Sequence, residues 1–482
     1  MAHIKGVKTR QAVQTATAAL FTIGLISCGG SGGGAGDSNS GAVETQLTEL
    51  DTAEALVPFP GTGELVQCSV PTLNQWVDNS MRDFYLFADQ VPIVNLTDFD
   101  SPEELIRNLR IDPPDDFSNV SNAAESSQLF DNGIASSTGL FWSFDQNNMP
   151  RIVFTQPNSP AAVAGLNRGD LLVSLEGVPW TEVTREQFFE FVGTADNPRS
   201  AEYELIRATT GETYVRDLIQ TEHLVNTILH SEVIEQDAMP GRIGYLAVSS
   251  FIDATAQQVR AEFARFRENG VTDLVLDLRY NRGGRVSSAG VLASLISSPS
   301  TDGEILSEFR FNERYSFRNE AFFFINEPNG LNLPRVVVLT TSSTASASEL
   351  VINSLEPYID VVQMGTRTLG KSFASFGRQF CGRQINAMEA IVVNAASVGV
   401  FNGLAADCFA EDDLRRDFGT SVNGTEGMLE SAIDYLVNGT CNQDPLTLAQ
   451  RSLRSEAGSE SPLSILHESR RPLLELVEEP EF

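Results

Sequence analysis

Ser346 stands in Thr344-Ala345-Ser346-Ala347-Ser348-Glu349, just after the apolar run Arg335 to Leu339. A serine at a strand-to-helix turn presents its hydroxyl beside unpaired backbone N–H groups and the positive end of a helix, which together can hold an oxyanion. The same position also suits a serine that merely caps a helix. Nucleophilic chemistry therefore requires a base within reach. The chain has four histidines. His3 lies in the leader, His467 in the tail, and His223 and His230 in the segment that leaves the second region, so no Ser-His-Asp arrangement suggests itself. The bases number 33, and only Lys5, Lys8 and Lys371 are lysine. Lys371, in Thr366-Arg367-Thr368-Leu369-Gly370-Lys371-Ser372, can serve as a base only if burial keeps it neutral, a state closed to arginine.

The elements that must position this pair read as an α/β layer. Ile243 to Val248, Leu274 to Leu278 and Arg335 to Leu339 are apolar strand runs, and Val361-Val362 begins another. Asp253 opens a helix with Val259, Phe263 and Phe266 on one face, and Gly270 stops it. The strand, the helix Ala345 to Leu355 and the returning strand bring position 371 back beside position 346. Upstream, residues 63–128 read as a helical region, with a helix start at Ser101-Pro102-Glu103-Glu104. Residues 129–222 read as short strands and turns, including Arg151 to Phe154 and Leu171 to Leu175 around a short helix closed by Gly165. Phe322-Phe323-Phe324 reads as a buried strand that could also line an apolar groove. Glu411-Asp412-Asp413 reads as the acidic first turn of a helix rather than a metal site.

Ser346 followed by Lys371 resembles the Ser-Lys dyad of the C-terminal processing (tail-specific) serine peptidases. Asp277-Leu278-Arg279-Tyr280-Asn281-Arg282-Gly283-Gly284 is similar to that family's D-L-R-x-N-x-G-G segment, and Gly403-Leu404-Ala405-Ala406-Asp407-Cys408 to its G-[IL]-x-P-D stretch. Ser159 to Gly177 resembles the family's PDZ domain. The resemblance, covering residues 68 to 440, implies a multidomain α/β protein with an N-terminal helical region, a PDZ domain and a crotonase-like α/β peptidase core over 223–441. It implies that Ala347 and Gly283 or Gly284 supply the oxyanion hole, and that Thr138-Gly139-Leu140-Phe141 is the loop that cradles a chain terminus. Many relatives carry a third polar residue eleven after the serine or four after the lysine; here Pro357 and Ser375 stand there. Glu349, Glu356, Thr368 and Ser375 are the candidates to orient Lys371. No cofactor or metal is implied.

Composition sets the outer bounds. With 64 acids the formal net charge is −31, which disfavours nucleic acid and anionic lipid as partners. Lys5, Lys8 and Arg10 precede a short apolar stretch, Ala18 to Ile26, ending in Leu25-Ile26-Ser27-Cys28. That stretch is too short to span a bilayer and resembles a lipoprotein signal over 1–27 with Cys28 lipidated. The expected location is the bacterial cell envelope, with the outer membrane facing the periplasm the default and the lipid anchor the only membrane contact. Residues 28–62 read as a flexible linker and 442–482 as a flexible tail. Cys68, Cys381, Cys408 and Cys441 suggest two disulfides. Three pairings are possible, and Cys381–Cys408 with Cys68–Cys441 is the one favoured. The expected partners are proteins or peptides with accessible C-termini. The reading from a different class is a binding lipoprotein with an idle peptidase-like site.

Overall fold

A computed structural model describes residues 56–441 apart from 113–114, 145–148, 196, 415 and 421–423. The leader, Cys28, most of the linker and the tail lie outside the described residues.

The last residues assigned to the linker are instead part of a hairpin: β1 (Leu56–Pro58) pairs antiparallel with β2 (Leu65–Gln67). Helix α1 (Val70–Phe84) starts where the Ser69 hydroxyl accepts from Thr72 N, with proline in its first turn. Ser101 caps α2 (Pro102–Leu109) in the same way, with Glu103 and Glu104 in the first turn. Next come β3 (Asn119–Asn122) and α3 (Ala123–Asn132), which ends on the left-handed Gly133. These helices do not make a core by themselves. Trp76, Val77, Met81, Leu105, Ile106 and Leu109 share one cluster with Phe373, Phe380, Ile385 and Met388 from the far end of the sequence.

The middle third holds β4 (Ile134–Ser137), β5 (Leu140–Phe144), β6 (Pro150–Thr155), α4 (Pro160–Val163), β7 (Leu171–Leu175), β8 (Val178–Pro179), α5 (Arg185–Val192), β9 (Ala201–Ile206), β10 (Thr213–Leu218) and β11 (Thr221–Leu224). Strands β10-β9-β7-β6-β5 run in that order, β5 forming an edge. β4 pairs with β11, so the chain enters and leaves this region through one two-stranded neck. Leu140, Trp142, Ile152, Leu172, Trp180 and Leu205 belong to a core of its own.

The remainder comprises β12 (Ile228–Glu235), β13 (Arg242–Val248), α6 (Asp253–Glu268), β14 (Val271–Asp277), α7 (Val286–Ser297), β15 (Ile305–Phe311), β16 (Glu320–Phe323), β17 (Arg335–Thr340), α8 (Ala347–Leu355), β18 (Asp360–Gly365), β19 (Phe373–Ser375), β20 (Arg378–Phe380), β21 (Arg383–Asn386), β22 (Met388–Val393), β23 (Cys408–Phe409) and α9 (Gly427–Asn438). The main sheet has the order β12-β13-β14-β17-β18-β23, parallel except for β12. Its strands are apolar on both faces because both are covered. Leu274, Leu276, Val336 and Val338 pack with residues of α6, α7 and α8, whereas Val275, Val337, Leu339 and Met364 pack with α9. Every residue of α8 is buried, and its polar Ser348, Glu349, Asn353 and Ser354 are each hydrogen-bonded. A second, antiparallel sheet has the order β16-β15-β22-β19, and a third, β20-β21-β3, ties the N-terminal segment to the C-terminal half.

The disulfides correct the favoured pairing. They are Cys68–Cys381 and Cys408–Cys441, with Cα–Cα distances of 5.7 and 5.5 Å, and neither Cys381–Cys408 nor Cys68–Cys441 forms. Packing decides this. Phe59 and Trp76 lie 5.4 and 5.6 Å from the Phe380 ring, which brings Cys381 in the β20–β21 turn to Cys68, two residues before α1. Helix α9 lies across β14, β17 and β18, so its end delivers Cys441 to Cys408 on the edge strand.

Candidate active site

Ser346 is the N-cap of α8 at φ +54°, ψ −116°, a backbone conformation costly for a residue with a side chain. The loop around it is over-determined. Thr344 Oγ1 donates to Leu278 O (2.8 Å), Ala345 N to Asn281 O (3.1 Å) and Ser348 Oγ to the same Asn281 O (2.9 Å). The serine turn and the segment 278–284 are thus one hydrogen-bonded unit.

Within that segment the two oxyanion candidates separate. Gly283 N donates to Asn281 Oδ1 at 2.9 Å. Gly284, with Ser346, Ala347 and Lys371, lines a cavity of about 490 Å³. Both glycines are required by space as well as by positive φ: a Cβ on Gly283 would sit 2.8 Å from Ser346 Cβ, and one on Gly284 2.1 Å from Phe251 O. The adjacent bonds Phe251 N to Gly283 O (2.8 Å) and Arg285 N to Phe251 O (2.6 Å) hold this approach. Ala347 and Gly284 are the pair that face the serine's cavity.

Glu349 joins the serine loop to the lysine loop. Its carboxylate accepts from Ser346 N (2.9 Å), Thr368 Oγ1 (2.5 Å), Gly370 N (2.7 Å) and Lys371 N (2.8 Å). Burial pushes its pKa up, against the pull of those four donors. Of the candidates to orient Lys371, Glu349 is therefore the one that binds the main chain on both sides of the pair. Ser375 lines the same cavity. Behind the lysine loop, Thr368 N donates to Leu404 O and Leu404 N to Thr368 Oγ1, so the Gly403 to Cys408 stretch is its support.

One wall was invisible in the motifs. Ser126, Ser127, Phe130 and Asp131 of α3 line the cavity, and Lys371 Nζ lies 5.2 Å from the Phe117 ring centroid. The N-terminal segment thus completes the site, and only its proximity in space could have revealed this. His223 is buried on β11, and neither His223 nor His230 lines the cavity.

The loop Thr138-Gly139-Leu140-Phe141 lies outside the cavity. Thr138 O accepts from Ala161 N (3.0 Å) and Gly139 O from Gln156 N (2.8 Å), so both carbonyls fix the start of α4 and the end of β6. Leu140 is buried, and Phe141 stacks on Phe154 at 4.1 Å. Phe154 in turn lies 6.0 Å from Tyr280, next to the glycine segment.

A buried ion network sits at that junction. Arg168, from the turn before β7, donates to Val153 O (2.7 Å), Tyr280 Oη (2.6 Å) and Asp412 Oδ1 (2.6 Å). Arg279, fully buried, pairs with Asp277, Asp412 and Glu426. Burial opposes the charge on Asp412, but Arg168 and Arg279 outweigh it and hold the carboxyl below its ordinary range. Asp412 is thus not in the first turn of a helix, as its acidic run suggested, but is the hub joining the middle region to Arg279 and Tyr280. Each ion here has a partner, and removing one would strand the others.

Residues 242–396 match the family model "Peptidase family S41", and residues 72–119 match "Peptidase S41 N-terminal domain". Over 229 residues the chain is 26% identical to a carboxyl-terminal-processing protease of Synechocystis, covering 47% of this chain and 50% of that protein. Over 231 residues it is 26% identical to a carboxy-terminal-processing protease of Bartonella bacilliformis, with the same coverage. The chain spans about half the length of the curated relatives it matches. A crystal structure from Bacteroides fragilis, named provisionally as an S41 protease, superposes with a TM-score of 0.59 at 24% identity, covering 76% of this chain and 97% of that one, which shows a shared mixed α/β fold. Ser346, Lys371 and the 277–284 segment all fall inside the matched S41 region, and the chain is a relative of the C-terminal processing serine peptidases.

Proposed function

We propose that the protein is an exported, lipid-anchored serine endopeptidase that uses a Ser346–Lys371 dyad. One observation carries the reading: Ser346, Lys371, Ala347 and Gly284 line one cavity, and Glu349 binds the main chain of both dyad residues. Ser346 Oγ attacks the scissile carbonyl carbon while its proton passes to neutral Lys371 Nζ. The oxyanion is met by the N–H groups of Ala347 and Gly284. Collapse expels the amine, which takes the proton back from Lys371, and leaves an ester on Ser346. Water attacks that ester, again giving its proton to Lys371; as the second intermediate collapses, Lys371 returns that proton to Ser346 Oγ and the acid product leaves.

The region from β5 to β10 is the proposed PDZ domain. A substrate C-terminus would pair with the β5 edge, with the 138–141 loop at its end. Its action on the cavity would pass through Arg168, Asp412 and Tyr280. Cys28 would carry the lipid, placing the enzyme in the cell envelope, at the outer membrane on its periplasmic side. The relatives' printed names, which describe processing at a carboxyl terminus, support this choice of substrate. The test is cleavage of an unfolded protein by the mature chain. The reading expects proteolysis that Ser346→Ala abolishes, and undiminished cleavage by that variant would refute it.

A further inference from the structure

Next to the Ser346 cavity lies a second one, of about 350 Å³, walled by Phe309, Phe311, Phe317, Phe322 and Phe376, with Arg318, Asn319 and Glu320 at its polar side. Phe309, Phe322 and Phe376 line both cavities, so a chain lying across Ser346 can place a side chain in the second one without leaving the first. The rings form a continuous series. Phe322 and Phe309 are 4.6 Å apart, Phe309 and Phe376 6.1 Å, and Phe376 and Phe311 5.5 Å in a stacked arrangement. The Arg318 guanidinium lies 4.7 Å from the Phe311 centroid and 5.6 Å from that of Phe376.

Core packing accounts for only part of this group: Phe309 belongs to the main core and Phe311, Phe322 and Phe376 pack against it, but their outer faces stay open to the cavity. Phe309 is buried and serves as the floor, but Phe311, Phe322 and Phe376 are only half-buried and Phe317 is 79% exposed. Alternation along β15 puts Phe309 and Phe311 on one face, and β16 pairs beside them to add Phe322. Phe376 follows β19, the strand that Lys371 precedes, so the one short strand positions both. Flat rings and a planar guanidinium select a flat apolar partner through stacking and cation–π contact.

We propose that this cavity is a specificity subsite that takes an aromatic side chain of the substrate, at a fixed number of residues from the scissile bond. The inference rests on the peptidase reading. Its test uses unstructured quenched-fluorescence peptides, alanine-rich, with one tryptophan moved along the sequence. The mature wild-type chain should cut one register about tenfold faster in kcat/KM than the peptide without tryptophan. Phe311→Ala and Arg318→Ala should each bring that ratio below about threefold, while the tryptophan-free peptide is cut at the wild-type rate. Arg318→Ala keeps the test open if Phe311→Ala fails to fold. A wild-type enzyme indifferent to the tryptophan's position, or a preference that survives both substitutions, overturns the subsite while leaving the peptidase reading intact. If no peptide is cut in a Ser346-dependent way, the peptidase reading fails instead. Binding of the same peptides to Ser346→Ala, with and without Phe311→Ala, then decides the subsite by a tenfold difference in Kd or its absence.

Discussion

The glycine at position 284 offers the sharpest single perturbation. Its φ of +124° lies where side chains are strained, and an added Cβ would sit 2.1 Å from Phe251 O and 2.8 Å from the carbonyl carbon. Ordinary contact begins near 3.4 Å, so backbone must give by more than an ångström. What gives is the pair of bonds from Phe251 N and Arg285 N that hold the glycine segment against residue 251. A misplacement of about 1 Å at a reacting centre costs about 100-fold in rate. Loss of one oxyanion donor costs about 100- to 1,000-fold. Gly284→Ala should therefore lower kcat by about 100-fold or more with little change in KM. Backbone strain adds about 1–3 kcal/mol of destabilisation, a fall in Tm of several degrees. Gly270→Ala is the control. It also has positive φ (+70°), but nothing lies within 4 Å of its Cβ, and it does not line the cavity. It should cost stability alone. Cleavage of a labelled unfolded protein and calorimetry of both variants provide the readout. A folded Gly284→Ala enzyme within about threefold of wild type, or a Gly270→Ala enzyme that loses as much, would refute the oxyanion assignment.

Three further outcomes follow from the same geometry. Glu349→Ala removes the common acceptor of Ser346 N, Thr368 Oγ1, Gly370 N and Lys371 N. It should cost about 3 kcal/mol or more by denaturant unfolding and at least about 100-fold in kcat, and retained activity would remove Glu349 from its positioning role. Asp412 has a lowered pKa, so its ion pairs stabilise the fold above its unfolded value near pH 4 and are lost as the pH falls through its folded value. The stability of Asp412→Asn should be lower at neutral pH and fall less steeply between about pH 4 and pH 2, and parallel curves would count against the network. An unreduced digest after arginine should contain the linked pairs Cys68–Cys381 and Cys408–Cys441. A Cys68–Cys441 peptide in that digest would contradict the packing of α1 on the β20–β21 turn.

Local signals carried much of the framework. The cap at Ser101, the apolar runs that became β13, β14 and β17, and the turn holding Ser346 depend on neighbours within a few residues. The disulfides were misread because their pairing is set by packing between distant segments, 313 residues apart for Cys68 and Cys381. Asp412 was misread for the same reason: an acidic run looks like a helix start until Arg168 and Arg279 arrive from elsewhere. The choice between Gly283 and Gly284 turned on one hydrogen bond, from Gly283 N to Asn281 Oδ1, which spacing does not encode. The cavity wall built by α3 and Phe117 had no motif to announce it.

The central claim is that Ser346 is the nucleophile and Lys371 its base. The direct measurement is intact-protein mass and peptide mapping after treatment with a serine-reactive phosphonate, on the mature chain and on Ser346→Ala, Lys371→Arg and Lys371→Ala. The account predicts a single adduct on Ser346 in wild type and none in the three variants, with all four retaining their Tm within a few degrees. Labelling of Ser346 at the wild-type rate in Lys371→Arg, which keeps a long basic side chain but cannot lose its proton, would contradict it.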